Sequence, residues 1–152
     1  MIYNRKIIYL AGFVFSLTIA LTAFINSSFL ASFVSEKFVG IIYILGSISS
    51  ILALLIAPTI WRITGGYKFL LSVTLLDILS LLALILVKNA WSAAAIFIVY
   101  FSLNILIFFS LDELLKIFSK NSAIGRIRGI YLSICSLAWI ISQLGFGTIF
   151  GE

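Results

Sequence analysis

The sequence predicts an all-α, polytopic membrane protein with five transmembrane helices. Of its 152 residues, 63% are apolar and only 10% are charged, and the mean hydropathy is +1.28. A soluble domain is usually about half apolar and about a quarter charged. Five apolar segments are long enough to cross the hydrocarbon core of a bilayer. None shows the period-two alternation of a β-barrel, so helices are expected to satisfy the backbone hydrogen bonds in lipid.

Short polar connectors separate these segments, and residues 1–152 are expected to form a single transmembrane domain. The predicted spans are about Ile7–Phe33, Phe38–Ile60, Phe69–Val87, Ala90–Leu111 and Gly129–Phe150. The basic N-terminus resembles that of a signal peptide. However, the 29 residues from Ile7 to Ser35 carry no charge, and the apolar region of a signal peptide has only about 7–15. The sequence therefore predicts an uncleaved first span.

Basic residues indicate the orientation. Eight of the ten lie on one side of the predicted membrane, namely Arg5, Lys6, Arg62, Lys68, Lys116, Lys120, Arg126 and Arg128. Only Lys37 and Lys88 lie on the other. The chain is expected to lie in the cell (inner) membrane. The positive-inside rule then places its N-terminus on the cytoplasmic side and its C-terminus outside. Because the basic residues are scattered in short turns, the net charge of +5 does not indicate nucleic-acid binding.

The cysteine and histidine content excludes several kinds of site. There is no histidine, and the one cysteine, Cys135, lies inside an apolar run. Disulfide frameworks and Cys/His metal sites are thereby excluded. No cofactor is predicted, and Cys135 is interpreted as a small packing residue.

The first two spans carry faces of polar and small residues at helical spacing. Thr18, Thr22 and Asn26 form a polar stripe along the first span. Two small-residue faces predict close helix packing: Gly12, Ser16 and Ala20 in the first span, and Gly46, Ser50, Ala53 and Ala57 in the second. Such faces specify no function.

The connector between the second and third spans is predicted to be a tight cytoplasmic turn. Within Ala57–Leu71, Pro58 and the pair Gly65-Gly66 are expected to break the helix. Arg62 and Lys68 hold the turn at the membrane face.

The third span contains Asp77 near its middle. An ionisable group at that depth costs at least about 2.5 kcal/mol on insertion scales, so it should face protein or water. Two interpretations stay open. Asp77 is either a proton-relay or ion-coupling carboxylate, or a buried neutral carboxyl that is hydrogen-bonded to a neighbouring helix.

The last two spans each combine polar groups with a charged or glycine-rich end. The fourth contains Ser102 and Asn104, and its end carries Asp112 and Lys116, an i, i+4 pair on a helix that continues past the membrane face. The fifth contains several serines and Gln143, followed by the glycines Gly145, Gly147 and Gly151. Glycine at this density predicts a bend or a close backbone approach.

At three places the chain resembles the N-terminal portion of a major facilitator superfamily transporter, through the first five of twelve spans. In the Pro58–Lys68 turn, Arg62, Gly65 or Gly66, and Lys68 match the family's loop motif, while Trp61 stands at the usual aspartate position. Gly125–Leu132, with Arg126 and Arg128, resembles the basic start of span five. Ser142–Gly147 resembles the family's glycine-proline motif, with Gln143 in place of proline.

This resemblance implies a partial major-facilitator-like bundle in which spans one, two, four and five line a cavity and span three lies outside. The cavity candidates are Thr22, Asn26, Asn104 and Gln143, while Asp77 would stabilise packing. The implied partners are membrane lipid, a small solute and the remainder of the bundle. Since the chain ends where the fifth span reaches the far surface, a fragment is expected.

The predicted function is that of part of a secondary active transporter, which moves a small polar solute by alternating access around a midplane site. The alternative is a small five-span scaffold or assembly subunit without a solute path. An enzyme is not expected, because one mid-membrane carboxylate makes no aspartyl dyad and no serine has an activating base within a span.

Overall fold

The computed structural model describes residues 2–119 and 123–150, with the backbone alone at residues 2–4, 24 and 146–150. The fold of this part is all-α, as predicted. Its helices are α1 (Ile2–Ala31), α2 (Glu36–Thr64), α3 (Gly66–Leu86), α4 (Ala90–Ile117) and α5 (Ile124–Phe150). All five are long and apolar enough to cross a membrane. Two residues named above, Lys120 and Gly151, lie outside the described residues.

Helix α2 shows that the prediction for Pro58 was wrong. The helix continues through this proline to Thr64, four residues beyond the predicted end at Ile60. Proline removes only one backbone hydrogen bond, and apolar membrane-type helices tolerate it. The helix ends where Gly65 adopts φ +83° and ψ 140° and donates its N–H to the Trp61 carbonyl at 3.0 Å. A single residue therefore separates α2 from α3.

The boundaries of the last two helices also differ from the predicted spans. Helix α4 begins at Ala90 as predicted, and the Asn89 side chain caps it by accepting the Ser92 N–H at 2.7 Å. It continues to Ile117, past the predicted membrane limit at Leu111. Helix α5 begins at Ile124 rather than Gly129, so Arg126 and Arg128, which precede the predicted span, lie in its first turns.

The chain divides into two compact units, and the first joins Met1–Asn26 to Leu111–Glu152. Here α1 packs against α5 through its small-residue face. Tyr9 stacks with Tyr131 at a ring-centroid distance of 6.5 Å, and the Tyr9 hydroxyl donates to the Ile127 carbonyl at 3.4 Å. One turn further along α1, Gly12 lies directly against the Tyr131 ring. These contacts join the N-terminal half of α1 to the first turns of α5.

The second unit is Ser27–Ser110, which holds the end of α1, all of α2 and α3, and most of α4. Its core cluster consists of Leu30, Ile42, Leu84, Phe97 and Tyr100. The small-residue face of α2 meets α4, since a Cβ on Gly46 would lie 3.2 Å from the Phe101 ring. The close packing predicted at Gly46 is therefore present, and Phe101 fills the space that this glycine leaves.

Replacing Gly65 by alanine is expected to lower the free energy of unfolding by roughly 1–2 kcal/mol, because L residues are strained at positive φ. A Cβ there would meet nothing within 4 Å, so backbone strain is the whole effect. Unfolding by SDS in mixed micelles measures the change. Gly40→Ala is the control, since Gly40 also has open space around it but lies inside helix α2. Equal losses for both variants would contradict this account of the turn.

Candidate intramembrane polar site

Two buried polar side chains from different helices meet within the second unit. Asp77 lies on α3 with 6% of its surface exposed, and Asn104 lies on α4 with 7% exposed. The amide nitrogen of Asn104 donates to the Tyr100 carbonyl of its own helix at 2.8 Å. It also donates to Oδ1 of Asp77 at 3.4 Å, a long hydrogen bond. The pair therefore joins α3 to α4 through an amide and a carboxyl group.

Within the described part of the chain, the polar atoms of Asp77 and Asn104 do not all have hydrogen-bond partners. The amide oxygen of Asn104 is buried and accepts no hydrogen bond from any residue that the structure describes. In the same part of the chain, no cation lies within ion-pair distance of the Asp77 carboxyl. Ser80 bonds instead to the backbone carbonyl of Asp77, at 2.7 Å. Among residues 2–119 and 123–150, the site thus has an unused acceptor beside a carboxyl group without a counter-ion.

A second polar contact in this unit links α2 to α4. The Ser102 hydroxyl lies 3.0 Å from the hydroxyl of Ser49 and also 3.0 Å from the Ile98 carbonyl of its own helix, so a hydrogen bond joins the two serines while Ser102 has a second acceptor. The Ser102 hydroxyl also lies 3.5 Å from the hydroxyl of Ser50, at the limit of hydrogen bonding. Ser102 and Asn104 are two residues apart on α4 and point in different directions. Helix α4 therefore presents a serine to α2 and an amide to α3.

The remaining predicted cavity residues belong to the first unit and have different surroundings. Thr22 is half-buried and its hydroxyl lies near carbonyls of its own helix, 3.1 Å from Thr18 and 3.0 Å from Ile19. Asn26 is half-buried, and Gln143 is exposed. Beside it, Ser142 is buried and bonds to no residue in the described ranges. Of the predicted cavity residues and Asp77, the structure brings together Asn104 and Asp77.

The loop-motif residues between α2 and α3 form a turn that aromatic packing stabilises. The Trp61 ring lies against Gly66, where a Cβ would overlap it. The same ring packs edge-on against Phe69 at 5.7 Å and Phe109 at 5.9 Å. Glycine is thus needed at residue 66 to admit the tryptophan. In the sequence, this contact is visible only as Trp61 standing where the family's loop motif has an aspartate.

The basic side chains at the helix ends are partly paired. Arg62, Lys68 and Arg126 are exposed. Asp112 forms the predicted ion pair with Lys116 at 3.2 Å, and Glu113 binds the same ammonium at 2.5 Å. Asp112 also binds Arg128 at 2.7 Å, which links the end of α4 to the start of α5. Sequence analysis missed this last contact, because nothing local places Arg128 beside Asp112.

No protein-family model, curated protein or solved structure matches this chain. The helices themselves define its class. Over the residues that the structure describes the chain is all-α, and the five long apolar helices found there are consistent with an integral membrane protein.

Proposed function

We propose that the chain is part of a secondary active transporter that moves a small polar solute across a membrane. The observation that supports this proposal is the buried Asp77–Asn104 pair, which joins two apolar helices near their middles. Ionisable groups within membrane spans are costly and commonly mark ion or substrate pathways. The resemblance at the Pro58–Lys68 turn points to the same class of protein.

The surface of the helices fits contact with lipid and with further helices. Large apolar side chains are exposed along several helices, and Leu55, Ile85 and Leu86 are examples, each more than two-thirds exposed. Such surfaces are stable only against hydrocarbon or against other apolar side chains. In this proposal they contact membrane lipid and the remaining spans of the transporter. The chain lies in the cell (inner) membrane with its N-terminus on the cytoplasmic side.

Two concavities of the second unit lie away from the polar pair. One, of about 430 Å³, is apolar and lies between the start of α2 and the start of α4, where Phe38, Trp91 and Ile98 line it. Another, of about 320 Å³, is lined by Ser27, Glu36 and neighbouring residues. In this proposal Asn104 is the solute-binding candidate of the second unit, and Thr22, Asn26 and Gln143 are the candidates of the first.

A solute screen tests the proposal. The purified chain in lipid nanodiscs would be unfolded thermally in the presence of sugars, amino acids, organic acids and quaternary amines. A ligand at 100 times its Kd stabilises a protein by about 2.7 kcal/mol. We expect at least one class of solute to raise the unfolding temperature, and Asn104→Leu to abolish the shift.

Ser47→Ala is the matched control, because the Ser47 hydroxyl is exposed and donates to the Tyr43 carbonyl of its own helix. This variant should keep the full solute-dependent shift. Solute uptake into liposomes is expected only when the remaining spans are supplied as well. Stabilisation by none of the solutes, or uptake by the isolated chain, would contradict the proposal.

The second candidate function is a membrane scaffold or assembly subunit. The contact of Ser102 with Ser49 favours it, because these polar groups satisfy one another between helices instead of facing an open path. A scaffold would show no solute-dependent stabilisation, and Asn104→Leu would then alter stability alone.

A further inference from the structure

We propose that Asp77 and Asn104 form a proton-binding site, in which the Asp77 carboxyl group holds a proton and donates it to the amide oxygen of Asn104. The two side chains then form a reciprocal acid–amide pair. The amide N–H of Asn104 donates to one carboxyl oxygen, and the O–H of the other carboxyl oxygen donates back. This inference concerns the protonation of the site in the absence of solute, and it holds for either of the two functions above.

The first argument is the unused amide oxygen. An asparagine side chain has two N–H donors and one oxygen acceptor. Both donor directions of Asn104 are occupied, by the Tyr100 carbonyl at 2.8 Å and by Asp77 at 3.4 Å. The oxygen is buried and receives no donor from the described residues. Buried acceptors of this kind are rare in folded proteins, and a proton on the adjacent carboxyl group supplies the missing donor.

The second argument is the length of the bond to Asp77. N–H···O hydrogen bonds normally measure about 2.7–3.2 Å between nitrogen and oxygen, and those to an ionised carboxylate are shorter than those to a neutral acceptor. The bond to Asp77 is 3.4 Å long. An ionised carboxylate buried among apolar side chains also needs a counter-ion or several donors. A neutral carboxylic acid needs neither, so the observed geometry fits the protonated form.

The third argument is the distance of other charges. The nearest charged residue on the same helix is Lys68, nine positions away and about 14 Å along the axis. On the neighbouring helices of the unit, the ionisable side chains are Glu36, Lys37, Tyr43 and Arg62 on α2 and Tyr100 on α4. Beyond this unit, α4 continues to Asp112, Glu113 and Lys116, which pair with one another or with Arg128. None of the cations in the described ranges forms an ion pair with Asp77.

Release of the proton has a definite structural consequence. The O–H bond of Asp77 breaks, its electron pair stays on the carboxylate, and the proton passes to water. Asn104 then loses the donor to its oxygen, while an uncompensated charge remains between α3 and α4. Proton release would therefore weaken the contact between these helices. If the chain is part of a transporter, which is the proposed function, the coupling ion is the proton.

The chain permits a direct test, because Asp77 and Asp112 are its only aspartates. Protein labelled with ¹³C at the aspartate side-chain carboxyl carries two labelled groups, and solid-state NMR distinguishes protonated from ionised carboxyls by chemical shift. In lipid at neutral pH we expect one ionised signal, from Asp112 beside Arg128 and Lys116, and one protonated signal, from Asp77. Asp112→Asn should remove the ionised signal only.

Two variants extend the test to the partner residue. Asn104→Leu should shift the protonated signal and leave the Asp112 signal unchanged. Asp77→Asn should remove the protonated signal and keep the helical circular dichroism spectrum, because an amide can form the same reciprocal pair. Two ionised signals at neutral pH in the unmodified protein would overturn the inference, as would a protonated signal that Asn104→Leu does not move. The measurement uses no solute, so its outcome is separate from that of the transporter proposal.

Discussion

Replacing Phe97 by alanine is expected to lower the free energy of unfolding of the second unit by about 3 kcal/mol, at the lower end of the range for Phe→Ala in protein cores. The side chain is 0% exposed and lies in the core cluster with Leu30 and Leu84. Its ring packs edge-on against Tyr43 at a centroid distance of 5.3 Å. Unfolding by SDS in mixed micelles measures the loss.

The lower end of the range applies because lipid tails are as apolar as a protein core. The loss of the Phe97 ring therefore removes packing contacts but little free energy of transfer from water. The control is Phe38→Ala, the same substitution at a ring that is 60% exposed. It should change the free energy of unfolding by less than about 0.5 kcal/mol, the usual limit for surface substitutions. Equal losses at the two phenylalanines would show that the cluster around Phe97 does not stabilise the unit.

Replacing Gly12 by leucine is expected to cost about 3 kcal/mol, the upper end of the usual range for overpacking. Even a Cβ at this position would overlap the Tyr131 ring, which is itself buried. The larger side chain would force α1 away from α5 and break the stacking of Tyr9 on Tyr131. The loss should appear in the same micelle titration, together with changed near-UV dichroism from the tyrosines.

Gly129→Leu provides the matched control for this substitution. Gly129 lies on α5 in open space, and a Cβ added there would meet nothing within 4 Å. Leucine has the higher helix propensity, so this variant should gain up to about 1 kcal/mol. The two substitutions are therefore expected to have opposite signs. A destabilising effect of Gly129→Leu as large as that of Gly12→Leu would argue against close packing as the cause.

The polar residues of α4 illustrate why function is harder to predict than fold in such a chain. Ser102 and Asn104 were both recognisable as polar groups inside an apolar span. Their partners on α2 and α3 are some 53 and 27 residues away in the sequence. A helix that is apolar on all sides carries little information about which face meets which neighbour. The Asp77–Asn104 contact could therefore be named only from the structure.

In the turn between α2 and α3, too, the sequence predicts one part of the structure and packing decides the rest. Two glycines and two basic residues were enough to predict a tight connector. The sequence did not predict that α2 would pass through Pro58, or that Trp61 would occupy the space over Gly66. Both depend on packing around the turn rather than on local preference.

By itself, the sequence determined the helical class, the number of long apolar segments, and the positions of most helix ends to within a few residues. These properties follow from local hydropathy and from the need to satisfy every backbone hydrogen bond within a segment. The tertiary structure decided which side chains meet: Asp77 with Asn104, Ser102 with Ser49, and Arg128 with Asp112. Such contacts depend on the rotation of each helix about its axis, which packing between distant segments determines.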